Sequence, residues 1–120
     1  MRKMSIDIIN SDEWRLLFKA KDDGCQIVYA FETVRRLKSK FDDIKDNEFF
    51  REIFFDSLNG IGVYGDRAIL SFKSGGIIIF ICDVFDCDGL HPDIVYFDEE
   101  SKFYPEKFFT LLSIEKNKDW

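Results

Sequence analysis

Ile77-Ile78-Ile79-Phe80-Ile81-Cys82 is the longest unbroken apolar run in the chain, and its six residues decide the fold. A membrane helix needs roughly 18 or more apolar residues in succession, so this run cannot span a bilayer and no membrane association is expected. A short run apolar on every residue fits a central strand covered on both faces. Upstream, Ser74-Gly75-Gly76 connects it to Arg67–Lys73, where Ala68, Leu70 and Phe72 alternate with Arg67, Ile69, Ser71 and Lys73 as in a half-buried strand. Gly65-Asp66 turns the chain before that, after a short stretch from Ile61 to Tyr64. Downstream, Asp86-Cys87-Asp88-Gly89 reads as a loop tip. Ile94-Val95-Tyr96-Phe97 reads as a return strand between Asp93 and Asp98.

Nearer the start, the hydrophobic period becomes mostly helical. Asn10 can cap a helix, Glu13 completes a capping box, and Ile9 and Trp14 occupy the two staple positions. With Trp14, Leu17 and Phe18 as its apolar face, a helix is predicted over 11–20, ahead of the turn Asp22-Asp23-Gly24. Cys25, Ile27, Tyr29 and Phe31 then alternate with Gln26, Val28 and Ala30 as a strand would. Val34, Leu37, Phe41 and Ile44 share one helix face. After a restart at Asp46-Asn47, Phe50, Ile53, Phe54 and Leu58 are expected inward, flanked by Phe49 and Phe55. Helices are therefore predicted over 33–58, stopped by Asn59-Gly60. Met4, Ile6 and Ile8 suggest a short first strand, and Pro105 a final helix over 105–116 with Phe108, Leu111 and Leu112 on one face.

At 120 residues and 14.2 kDa the chain fits one domain, and with 46% hydrophobic and 33% charged residues it is too apolar to stay disordered. The expected fold is α+β: a single domain over 1–120, with an antiparallel or mixed sheet built mainly from 61–97 and helices packed on it. No apolar h-region follows the first basic residues. Cys25, Cys82 and Cys87 are an odd set without framework spacing, as where thiols stay reduced, so a cytoplasmic location is expected.

Each chemical motif falls short of completion. Asp83, Asp86, Asp88 and Gly89 invite a calcium loop, but with Asp86 and Asp88 at its third and fifth positions, Val84 and Val95 fall where the first and twelfth ligands belong. The same acids could hold magnesium in a small hydrolase, yet no Lys or Arg in that segment could grip a phosphate substrate. His91 is the only histidine, which excludes a histidine pair, and its loop beside Asp88 and Pro92 suits a solvated side chain better than a Cys87–His91 catalytic pair. Gly60, Gly62 and Gly65 lack the following helix and Lys-Ser/Thr of a phosphate loop. No catalytic residue, cofactor or metal site is expected.

Charge is the more informative feature. The net charge is −6, but residues 1–40 carry nine Lys or Arg against six Asp or Glu, and residues 41–120 eight against seventeen. Between Lys73 and Lys102 there is no base and there are seven acids: Asp83, Asp86, Asp88, Asp93, Asp98, Glu99 and Glu100. Such a field repels nucleic acid phosphates, so direct nucleic-acid binding is not expected, and it attracts basic protein surfaces. Phe85 and Tyr96, set among these acids, are the expected exposed aromatic anchors.

Size, acidity around Ile77–Glu100 and the missing catalytic set make the chain resemble the small immunity proteins of bacterial contact-dependent growth inhibition systems. The resemblance implies a non-enzymatic inhibitor that binds a cognate toxin domain, commonly a basic nuclease, and blocks it. The expected partner surface is Asp83, Phe85, Asp86, Asp88, Asp93, Tyr96, Asp98, Glu99 and Glu100. An acidic nucleic-acid mimic directed at a DNA-binding protein is the alternative binding function.

Overall fold

The computed structural model describes residues 8–82 and 92–100. Asn10 starts the first helix as its sequence dictates: its side-chain oxygen accepts the Glu13 amide at 2.8 Å, and the Glu13 carboxylate accepts the Asn10 amide at 2.9 Å. The closed capping box launches α1, Ser11–Asp23. This helix passes the expected end at residue 20 because Gly24, at φ 68°, supplies the left-handed residue that terminates it. Strand β1 follows at Gln26–Ala30. Thr33 caps α2, Val34–Lys45, by accepting the Arg36 amide at 3.1 Å, and Asn47 caps α3, Glu48–Phe54, by accepting the Phe50 amide at 2.9 Å. A 3-10 turn, Phe55–Ser57, leads to β2 (Leu58–Val63), β3 (Arg67–Phe72), β4 (Ile77–Ile81) and β5 (Ile94–Phe97).

The five strands among the described residues form one mixed sheet in the order β2-β3-β4-β1-β5. β4 is central, as its apolar run predicts. It pairs antiparallel with β3 and parallel with β1, and β1 pairs parallel with β5. The fold is therefore α+β, with helices packed on a mixed sheet. Ile27, Tyr29, Phe80 and Leu70 belong to the principal core with Leu16 and Leu17 of α1, Leu37 and Phe41 of α2, and Phe50 and Phe54 of α3. The register sets Val28, Ala30, Ile81 and Val95 on the other face, where they are also buried. Parallel strands buried on both faces lose the polar alternation of an open sheet, which is why all of β1 after Gln26 is buried.

Gly76 fixes how α1 meets the β3–β4 hairpin. A Cβ there would lie 1.9 Å from the Ala20 carbonyl oxygen, so only glycine permits this approach, and the Ser74 hydroxyl donates to the same oxygen at 2.8 Å.

Four expectations need correction or fall away. Leu58 is not the last inward residue of a helix but the first of β2, paired with Phe72, and it still packs against the core from there. Ile53 is 44% exposed rather than inward, because α3 ends at Phe54 and presents Phe50 and Phe54 to the core. Ile8, the one described residue of the expected first strand, is helical, and the expected final helix lies outside the described residues. Among the described residues no helix is long and apolar enough to cross a membrane.

Candidate protein-binding surface

The acids expected to meet a partner are, where described, engaged in holding the β5 side of the sheet. Asp93 brackets the start of β1: its carboxylate accepts the Gln26 amide at 2.8 Å, and its own amide donates to the Gln26 carbonyl at 2.7 Å. Asp98 is buried and takes a bidentate contact from Arg36, Nε at 2.8 Å and Nη2 at 3.0 Å. Arg36 also reaches exposed Glu100 at 3.2 Å, and the bond to Asp98, above all, raises the guanidinium pKa. The base missing from the sequence between Lys73 and Lys102 thus arrives in space from α2. Glu99 is exposed and accepts the Tyr96 hydroxyl at 3.1 Å.

Tyr96 is not the exposed anchor expected of it. Its register opposite Tyr29 turns it to the helix face, where it is 4% exposed and meets the Tyr29 ring edge-on at 5.0 Å. Burial first, then its bond to Glu99, pushes the Tyr96 phenol above its ordinary pKa. Asp83, Phe85, Asp86 and Asp88, with Cys87 and His91, lie outside the described residues.

Beneath Tyr96 sits a buried polar group that invites a catalytic reading and does not sustain it. The Tyr29 hydroxyl donates to Glu13 Oε2 at 2.6 Å, Lys40 Nζ lies 3.3 Å from the same oxygen, and Oε1 already accepts the Asn10 amide. Both carboxylate oxygens are occupied by groups of the fold itself, as a buried charge requires. Burial, reinforced by the Glu13 charge, drives the Tyr29 phenol well above the ordinary tyrosine range, so it stays protonated and keeps donating. Among the described residues no group of three or more His, Cys, Asp or Glu could hold a metal ion. The Cys25 thiol is raised by burial, opposite to the shift a nucleophilic cysteine needs.

The opposite edge of the sheet is built differently. No residue from Ser57 to Gly65 is charged, and β2, which lies within this stretch, is an outer strand among the described residues. Its hairpin with β3 closes at Tyr64, whose amide donates to the Arg67 carbonyl at 2.9 Å. Ladder alternation then places Gly62 and Gly60 on the bonded side, opposite Ile69 and Ser71, and turns the backbone N–H and C=O of Ile61 and Val63 to the open edge. The side chains of Ile61 and Val63 are 44% and 55% exposed, Tyr64 is 55% exposed, and Phe55 in the preceding turn 64%. The elements around this strand are acidic. Asp42, Asp43, Asp46, Glu48, Glu52, Asp56 and Asp66, which flank it in the chain, are all exposed, against five bases: Lys45, Arg51 and Arg67 of the same stretch, Lys38, which donates to the Tyr64 carbonyl, and exposed Lys73, whose amide bonds Ser57.

The chain matches no family model, no curated protein and no solved structure. The geometry must therefore carry the function alone. The β2 edge joins unpaired strand backbone to exposed apolar side chains and acidic flanks, which is the composition of a protein-binding surface. Sequence reading instead placed the partner surface at 83–100, as aromatic anchors within an acidic rim, because it weighed charge density. The signal for β2 was the reverse: a nine-residue uncharged stretch, Ser57–Gly65, in a chain one-third charged.

Proposed function

We propose that the chain is a cytoplasmic immunity protein: a non-enzymatic inhibitor that binds and neutralises a cognate toxin domain with a basic surface, such as a nuclease. The observation that carries this reading is the β2 edge, with Ile61, Val63 and Tyr64 exposed and seven exposed acids in the segments that flank it in the chain. The acids draw a basic domain in and orient it, and the apolar strand retains it. A nuclease grips phosphate with cations, so an acidic inhibitor seated over them competes directly with substrate.

The test pairs the chain with the toxin domain encoded beside its gene. Co-expression should protect the cell, and the purified proteins should form a stoichiometric complex whose association slows as salt rises. Reversing Asp42 and Asp43 to Lys together should reduce the low-salt association rate by about tenfold and flatten its salt dependence. The absence of both protection and a complex would overturn the reading. So would binding to unrelated DNA-binding proteins with equal strength, which is the behaviour of a nucleic-acid mimic.

A further inference from the structure

We propose that the partner docks by strand addition: an extended segment of the basic domain pairs with β2 and becomes a sixth strand of the sheet. This rests on the reading of the chain as a toxin-binding protein and specifies how the contact is made. Three observations lead to it.

The first is the backbone. Ile61 and Val63 each direct an N–H and a C=O away from β3, and neither residue is sheltered. Strand addition satisfies such groups in alternation, with main-chain bonds for affinity and alternate side chains for specificity. Natural edge strands usually carry a lysine, a proline or an inward charge that discourages pairing. β2 has none of these. Its one irregularity is the register shift between Leu58 and Gly60, which lies before the open pair.

The second is the difference between the two faces of the strand. Ile61 and Val63 lie opposite Leu70 and Ala68, on the face that carries the principal core, and extend that apolar surface to the sheet's rim. The other face carries Gly60, around which a Cβ would meet nothing within 4 Å, and Gly62, overlain by the Tyr64 ring at 3.0 Å from where a Cβ would stand. An added strand thus finds an apolar shelf on one face, and an open space beside an aromatic ring on the other. Apolar side chains suit the shelf. Lys or Arg suits the second face, where a cation can lie against Tyr64. The fitting occupant is an extended segment alternating apolar and basic residues.

The third is charge, which separates a basic partner from a second copy of this chain. Two copies joined edge to edge through β2 would bring together two sets of seven exposed acids with five bases each, Lys38, Lys45, Arg51, Arg67 and Lys73, so each edge keeps a net negative charge. Like charges oppose that pairing, while a basic segment gains from both sets of contacts.

The experiment uses the full chain and the toxin domain encoded beside its gene. Val63→Pro removes only the outward amide, a position where an edge strand accepts proline, and so leaves the bonds to β3 in place. It should weaken the complex by roughly ten- to a hundredfold, the range for leaving a buried acceptor unpaired. Val63→Thr, which keeps the amide, should weaken it by less than about tenfold. Hydrogen exchange on the unmodified proteins gives a readout independent of whether the proline variant folds: the Ile61 and Val63 amides should be unprotected in the free chain and protected in the complex. A complex that forms with those amides still exchanging, or that binds Val63→Pro as well as the original, overturns strand addition but leaves the immunity reading standing. No complex at all overturns the immunity reading itself. A free chain that is dimeric and becomes monomeric on Val63→Pro assigns the edge to a second copy and overturns the proposal.

Discussion

β2 and β5, the two outer strands among the described residues, are held in opposite ways. β5 is four residues long and is fastened at both ends. Asp93 binds the Gln26 backbone at its start, and Asp98 holds Arg36 just beyond its finish, while Val95 and Tyr96 between them are buried. β2 is six residues long, carries no charge, and leaves Ile61 and Val63 about half exposed. Charge beside a strand therefore cannot be equated with a partner surface. At β5 the acids close the fold, and at β2 the lack of charge leaves the sheet able to grow.

The comparison breaks most visibly if the β5 fastening is removed. Asp98→Ala deprives Arg36 of two charge-assisted hydrogen bonds in a partly buried setting, leaving the guanidinium with exposed Glu100. Chemical denaturation should show a loss of about 1–3 kcal/mol. An unmoved midpoint would mean that β5 is held by something other than this pair, and that its acids are as available to a partner as they first appear.

The reason the two edges look reversed in the sequence is a matter of distance along the chain. The capping box at Asn10 and the central strand at Ile77–Ile81 are legible because each depends on neighbours within a few residues, or on burial so complete that every side chain must be apolar. The Arg36–Asp98 pair spans 62 residues, and nothing local announces it, so the acids after Ile94 read as unpaired. β1 is recognisable as a strand, but its parallel partners β4 and β5 come much later, brought beside it by helices packing on the sheet. Leu58 fails for a different reason. It lies four residues after Phe54, which suits a helix face, and also fits the first position of a strand; pairing with Phe72 decides between them. The β2 site was hidden because its signature is missing charge, which a search for charged clusters passes over.

A smaller effect tests how tightly the β5 side is sealed. Tyr29, on the strand next to β5, donates to buried Glu13 and is held protonated well past the pH at which an unfolded tyrosine ionises, about 10. Above that pH the folded chain binds more protons than the unfolded one, so stability is unaffected below about pH 10 and declines as pH rises beyond it. For one such group the slope is about 1.4 kcal/mol per pH unit. Unfolding free energies of the original chain and Tyr29→Phe, followed between pH 9 and 11 on a scale set by that ordinary tyrosine pKa of about 10, should converge as the pH rises. Parallel curves would show that the phenol reaches solvent and that the closed side is open to water.

The smallest expected effect sharpens the comparison most, because one chemical change is made at both edges. Valine and threonine have the same shape and the same β-branching, and differ by a hydroxyl in place of a methyl. At Val95, 1% exposed, that hydroxyl is taken out of water, and Val95→Thr should cost about 1–3 kcal/mol. At Val63, 55% exposed, the hydroxyl stays hydrated and the bonds to β3 are backbone bonds that the exchange leaves alone. Val63→Thr should therefore change stability by less than about 0.5 kcal/mol. Both values come from denaturant midpoints measured side by side. Equal costs would mean that Val63 is as sheltered in solution as Val95, and no strand could then be added beside β2.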